Sequence, residues 1–433
     1  MKKIVLGFII CLNIVTLFAQ DTATVVHRFS LEDCLNYAWN NNYNRQSMKL
    51  SEDASKSVYE QSKMERLPNL NVSLSESLNT AKDSPSSWNG NYGVSTNVTL
   101  YQGGNVDNTI KQNKLKTEQS SHQTSQYENT LTIQILQAFL SVLGNEELLK
   151  YQKSVADTGE EQVKQGKYQF EAGQILESDY LLLEAQYAND KNNISDTEIA
   201  IENSLIKLKS LLSMNPTEDI QIIYPDTAAL VKMSFIPSAD YVLDRAKNTL
   251  PDLKISRYNV DIANMNVKLA KSGYSPTVSL FGNAGTGHAK DYSDFGQQLS
   301  DRLNAQVGLS LSIPIYDNSR TKSKVTQSRI ALQQVELDKK QTELDIIQNI
   351  TTEYRDVIST YNRYQTTNIR QNAYRKTFEA YQAQFNVGSI TAVDLLQQQN
   401  NYISAMNDYI QNKYGFMLKR KILDVYMGIP VTM

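Results

Sequence analysis

Apolar positions recur along this chain with two different periods, and proline marks where one gives way to the other. Prolines stand at 68, 85, 216, 225, 237, 251, 276, 314 and 430, which leaves 86–215 and 315–429 free of them. Proline breaks helix interiors, so the two stretches predict long helices. Their Gln, Lys, Glu, Leu and Ala content favours the same state. In the second stretch Ile347, Ile350, Tyr354, Val357, Tyr361 and Tyr364 step by three and four alternately, a coiled-coil seam. In the first stretch two seams run side by side: Leu131, Ile135, Ala138 and Val142, then Ile133, Leu136, Leu140 and Leu143. A helix with two adjacent seams has a neighbour on each side, which suits a closed wall of helices better than a two-stranded rod. A buried helix of an ordinary bundle shares the pattern. However, helices over Asn105–Phe170 and Asn318–Phe385 would each be roughly 100 Å long, far beyond the globular norm.

Four short segments carry the strand period instead: 69–75, 92–100, 277–284 and 305–313. One face reads Leu70, Val72, Leu74; Val94, Val98, Leu100; Val278, Leu280, Ala284; Val307, Leu309, Leu311, Ile313. The other is mostly Ser, Thr, Asn, Gln and Gly, and the segments are uncharged. Apolar out and polar in is the alternation of a transmembrane barrel strand. A half-buried sheet of a soluble protein alternates likewise; the flanking long helices and an export signal favour the membrane. That signal is Lys2 and Lys3, the apolar run Ile4–Phe18, then Ala19, Gln20 and Asp21, with cleavage expected after Ala19. Cys11 lies inside the apolar run, so no acyl anchor is expected.

The chain repeats its devices. Tyr101 and Tyr316, Gly173 and Gly388, and Asp179 and Asp394 are each 215 residues apart, whereas Pro68 and Pro276 are 208 apart. Duplication explains the pattern, with hairpins of different length explaining the change of offset. The chain then divides into a signal, 1–19; a first repeat, 20–220, with strands about 69–79 and 91–101 and helices about 105–170 and 174–213; a linker, 221–236; and a second repeat, 237–430, with strands about 276–285 and 304–315 and helices about 318–385 and 391–427. Four strands cannot close a barrel, and an open sheet in lipid leaves backbone groups unpaired. The chain must assemble, as a dimer, trimer or tetramer.

Composition removes other functions. The net charge of −3 makes no electrostatic case for nucleic acid. After the signal no apolar run is long enough for a spanning helix. The one cysteine left, Cys34, cannot form an internal disulfide and reads as a small buried residue. His27, His122 and His288 have no ligand spacing. Gly103-Gly104 lacks the Lys-Ser/Thr of a phosphate loop and reads as a bend from strand to helix, with Asn105 as N-cap there and Asn318 or Ser319 in the second half. No nucleophile motif is present. Neither an enzyme nor a cofactor is expected.

The segments Leu31–Ala38, Leu67-Pro68-Asn69-Leu70, Leu100-Tyr101-Gln102-Gly103-Gly104, Ala270–Pro276 and Leu309–Asn318, in their order and duplication, resemble the TolC outer-membrane factors over nearly the whole exported chain. The resemblance implies a mixed α and β membrane protein: a homotrimer whose protomers each give four strands to a twelve-stranded β-barrel in outer-membrane lipid. It also implies a twelve-helix α-helical barrel reaching through the periplasm, a periplasmic adaptor at the tunnel mouth and an inner-membrane pump. The protein would be the passive exit duct of an efflux or secretion machine. The connections Glu76–Asn91 and Gly285–Asn304 would be polar and face the cell exterior.

Two helix–helix turns would form the mouth: Phe170, Gly173 and Gln174 in one, Val387, Gly388 and Ser389 in the other. Glycine at a helix end takes the left-handed turn cheaply; the resemblance adds adaptor docking. Asp179 and Asp394 sit in first helical turns, where an acid favours the helix dipole. Asp179 also matches a position in the family's acidic, polar periplasmic lock. Elsewhere the chain departs from that lock: Phe385 stands for a tyrosine, Ile390 for an arginine and Gln397 for an aspartate. Closure is therefore expected from packing of Phe385 and Ile390. Two rivals are a trimeric adhesive or structural surface protein and a soluble periplasmic adaptor. Duplication and paired hairpins disfavour the first, and lipid-facing strands the second.

Overall fold

A computed structural model describes residues 27–82, 84–225, 236–289 and 294–431; the signal and most of the linker lie outside them. Helices α1 (Leu31–Asn41) and α2 (Tyr43–Met64) lead into strands β2 (Asn69–Ala81) and β3 (Ser84–Gln102). Helix α3 (Asn105–Glu171) and helix α4 (Glu177–Leu212) follow. The second half runs α5 (Ala239–Thr249), α6 (Pro251–Ser272), β5 (Thr277–Ala289), α7 (Phe295–Asp301), β6 (Asn304–Ser312), α8 (Arg320–Asn386) and α9 (Ala392–Tyr426). Two short strands, β1 (His27–Phe29) and β4 (Ile220–Ile222), pair in parallel beside the middle of the helices.

Each long helix, α3 and α8, has 67 residues, roughly 100 Å at the helical rise. Both seams of α3 are covered: Leu131, Ile135, Ala138, Val142, Leu136, Leu140 and Leu143 are buried and Ile133 partly so. Along its first half α3 lies between α2 and α6, and along its second between α4 and α9. On α8, Ile350, Val357 and Tyr364 are buried against Phe416 and Leu423 of α9. The α3–α6 contact also has a polar register that the apolar pattern hides. Gln112, Gln119 and Gln126, seven apart, donate to Asn266, Asn259 and Asp252, seven apart in the reverse direction. A seven-residue repeat on both partners is the spacing of supercoiled helices.

The sheet is antiparallel in the order β2-β3-β5-β6. Directly paired residues share a face, and the apolar face carries Val72, Val94, Ala284 and Ala305 in one row and Val98, Leu280 and Leu309 in another. This face is bare: Leu70, Val72, Leu74, Val307, Leu309 and Leu311 are all exposed. A bulge at Leu100 sets Tyr101 opposite Val278, so Tyr101 joins that face.

The sheet corrects two expectations. The segment Glu76–Asn91 is mostly strand, with β2 running to Ala81 and β3 starting at Ser84; Asp83 lies outside the described residues. Alternation then puts Glu76 between Leu74 and Leu78 on the apolar face, where Trp88 Nε1 and the Tyr92 hydroxyl donate to it. Gly285–Asn304 likewise begins as strand, to Ala289, and contains α7. The two hairpins thus differ in build. The expected caps differ as well. Asn105 is the first helical residue and donates to Ser272 Oγ at 3.0 Å; the cap position is Gly104, left-handed at φ +74°. In the second half Ser319 holds the N-cap position, as expected, but makes no side-chain cap bond; Asn318 and Ser319 take the left-handed pair, φ +54° and +61°. Asp317 instead accepts from Thr321 N at 2.8 Å.

Candidate functional site

The ends of α3 and α8 are built alike. Gly173, at φ +69°, donates to Phe170 O at 2.8 Å, and Gln174 N to Gln169 O at 2.8 Å. Gly388, at φ +73°, donates to Phe385 O at 2.9 Å, and Ser389 N to Gln384 O at 3.0 Å. This pair of bonds is a Schellman cap, which satisfies the last helical carbonyls around one left-handed residue. Nothing lies within 4 Å of where a β-carbon would stand on either glycine. Conformation, and not crowding, therefore requires them, and both turns present bare backbone.

The two turns face each other across a cleft of about 800 Å³. Gly173, Gln174 and Asp179 line it from one side, and Phe385, Val387, Gly388, Ser389, Ile390 and Asp394 from the other. Gln165 Nε2, on α3, donates to Asn386 O at 3.2 Å and ties the two ends. The charged residues lining the cleft, Asp179 and Asp394, are both acids. They differ in engagement. Asp394 and Thr391 form a reciprocal capping box: Asp394 N donates to Thr391 Oγ1 at 3.2 Å, and Thr391 Oγ1 to Asp394 Oδ2 at 2.7 Å. Asp179 is half-buried, beside a cap position held by Leu176, which offers no side-chain bond.

Phe385 is 1% exposed, in an apolar knot with Leu183, Phe378, Ala392, Leu395 and Leu396; Ile390 packs against it. The knot joins α4, α8 and α9, and α3 meets it through Gly166. A β-carbon there would stand 2.6 Å from Leu183 Cδ1. Two residues stay out of the cleft. Phe170 stacks on Tyr180 with ring centroids 6.0 Å apart. Gln397 is exposed one turn into α9 and bonds Asn401 at 3.4 Å.

Sequence reasoning missed a buried polar contact above the knot. Gln399 Nε2 of α9 donates to Asp190 Oδ2 of α4 at 3.0 Å. Its readable trace is Gly159 and Gly166, two turns apart inside α3, where glycine is costly. Gly159 lies against Asp190 and Tyr187.

A family model described as outer membrane efflux protein matches residues 35–213 and 242–428, most of the chain. The chain belongs to that family. It is therefore an outer-membrane protein of the efflux or secretion duct class. It is 22% identical to the outer membrane protein TolC of Vibrio cholerae over 423 residues, 93% of this chain and 94% of that one. The alkaline protease secretion protein AprF of Pseudomonas aeruginosa is 20% identical over 69% of this chain and 61% of its own. Among solved structures, CusC superposes with a TM-score of 0.80 at 14% identity, over 92% of each chain. The CmeC outer membrane channel of Campylobacter jejuni superposes with 0.78 at 16% identity, over 92% of this chain and 85% of that one. The fold is that of TolC-like outer-membrane channels.

Proposed function

We propose that this family member is a passive channel-tunnel, closed as a homotrimer, and the exit duct of a tripartite efflux or type I secretion system. The observation that carries this is the sheet. Its apolar face is exposed, and its outer strands β2 and β6 have no further strand partner among the described residues. It continues directly into α3 and α8. In lipid such edges are stable only when paired, so neighbouring copies must complete the barrel. Three protomers make the twelve strands that the family resemblance implies. Aromatic residues support the placement: Trp88 and Tyr92 at one end of the face, Tyr101 at the other, with Tyr92 and Tyr101 about 30 Å apart along the strand. Aromatic girdles flank the apolar band of such barrels.

In this reading the helices form a tunnel in the periplasm and the two glycine turns lie at its far mouth. Their bare backbone is the surface offered to a periplasmic adaptor, which couples the duct to an inner-membrane pump. The gate is formed by Asp179 in the cleft and by packing of Phe385 and Ile390. Asp394 serves it by fixing the start of α9, while Gln397 lies further along the same helix. Mass measurement in detergent, followed by planar-bilayer recording, tests the whole. A trimer that conducts ions is expected; a monodisperse monomer without conductance would overturn it.

A further inference from the structure

Between the apolar knot around Phe385 and the larger core around Leu136 and Phe139, three helices meet at one buried carboxylate. Asp190 of α4 is 3% exposed, and no basic side chain offsets its charge among the described residues. It accepts from two neutral amides, Gln186 Nε2 at 2.9 Å on its own helix and Gln399 Nε2 of α9 at 3.0 Å. On α3, Gly159 leaves it room: a β-carbon there would stand 3.4 Å from Asp190 Oδ2. A cavity of about 80 Å³ opens beside the carboxylate, lined also by Tyr151 and Gln152 of α3, Asn193 of α4 and Asn407 of α9. Tyr151 OH, Gln152 Oε1 and Asn407 Oδ1 are buried without a hydrogen-bond partner, and so is Gln399 Oε1.

A carboxylate held away from water is costly unless it meets a counter-charge. Burial pushes the Asp190 carboxyl up from its usual range, and the two amides offset this only in part. The orphaned atoms repeat the imbalance. All but the Tyr151 hydroxyl are amide carbonyl oxygens, which accept hydrogen bonds and donate none. They can satisfy neither the carboxylate nor one another. A water molecule can donate to two such oxygens, but it leaves the charge in place. A cation answers both needs, because it neutralises the carboxylate and gathers the carbonyl oxygens. Donors that are all oxygen suit a hard cation, and a single carboxylate suits a singly charged one. A water-sized sphere takes about 10–15 Å³ on this measure, so the cavity has room for an ion and its remaining waters.

We propose that this cavity is a binding site for an alkali-metal cation of the sodium class, held by the Asp190 carboxylate and the side-chain oxygens of Tyr151, Gln152 and Asn407. The ion draws its ligands from α3, α4 and α9 and so adds to the stability of the helical wall at a point that lacks apolar packing. It touches no cargo, and the site stands whether or not the protein conducts.

Thermal unfolding of the full-length protein in detergent, followed by loss of helical circular dichroism, tests this. It is run in sodium chloride and in choline chloride at the same ionic strength. Choline controls for screening, since its methyl groups keep oxygen ligands at a distance. The wild-type midpoint should rise by about 2 °C for each tenfold increase in sodium beyond half-saturation, and choline should have no such effect. Asp190→Asn keeps the shape of the side chain without its charge and should lose the sodium increment. Asn407→Leu keeps the carboxylate and removes one oxygen; it should raise the sodium concentration for half the effect about tenfold, as for loss of one contact to a charged group. A wild type indifferent to sodium means that water alone fills the cavity, and overturns the site. So does a full sodium increment in Asp190→Asn, because sodium then acts elsewhere. If Asp190→Asn does not fold, Asn407→Leu decides: a sodium response equal to that of wild type overturns the site.

Discussion

Gly173 and Gly388 hold the same left-handed backbone, φ +69° and +73°, at the ends of two helices of 67 residues each. Neither has a neighbour that a methyl group would strike. Gly173→Ala and Gly388→Ala should therefore each cost about 1 kcal/mol, the strain of a β-carbon in that region. Asparagine, which tolerates it, should cost less. Denaturant titration of the purified oligomer measures both, and equal stability of alanine and glycine variants would show that the turns relax elsewhere.

The two acids of the cleft should separate by function. Asp394→Ala removes a capping box and should cost about 1 kcal/mol of stability with ion selectivity unchanged; Thr391→Ala should match it. Asp179→Asn should reduce cation preference in bilayer recordings, because carboxylates gathered around one axis attract cations, while stability hardly changes. The reverse assignment of effects would move the constriction to Asp394.

Phe385→Ala should open a hole in the knot of Leu183, Phe378, Leu395 and Leu396. Large-to-small changes at a buried phenylalanine cost about 3–5 kcal/mol. Here part of that loss should appear as a leakier mouth, read as raised basal conductance and greater entry of large antibiotics into cells. A drop in melting temperature with a tight channel would assign the knot to folding alone.

Cys34 is fully buried, and burial, with the nearby charge of Asp33, pushes its thiol up to about 12. An unfolded thiol ionises near 8.5, so the fold favours the protonated form. This contribution to stability is complete below about pH 8.5 and is lost progressively as pH rises towards about 12. Iodoacetamide at pH 8 should leave folded protein unmodified and label it in denaturant. Labelling of the native oligomer would place Cys34 in a more open site.

With that thiol silent, introduced cysteines report topology. In the duct orientation Ser86→Cys lies at the outer end of the sheet and Val387→Cys, at a residue 80% exposed, in the periplasm. A membrane-impermeant maleimide should label the first in intact cells and the second only after the outer membrane is permeabilised. The opposite pattern would invert the molecule.

Local order determined much of what is seen. Proline-free stretches and doubled apolar seams are properties of neighbours in sequence, and they bespoke long helices flanked on both sides. Period-two alternation likewise marked the exposed apolar face of the sheet, and glycine at Gly173 and Gly388 marked the turns. Tertiary structure alone decided three matters. The strands run on through Glu76, because cross-strand pairing with Gly90 and its neighbours outweighs local polarity. Asp179 is brought to the cleft opposite the Gly388 turn, although the Thr391–Asp394 cap that sets its equivalent by offset apart is local. Asp190 meets Gln399 across 209 residues, a contact that no local period encodes, since it forms only where three helices converge.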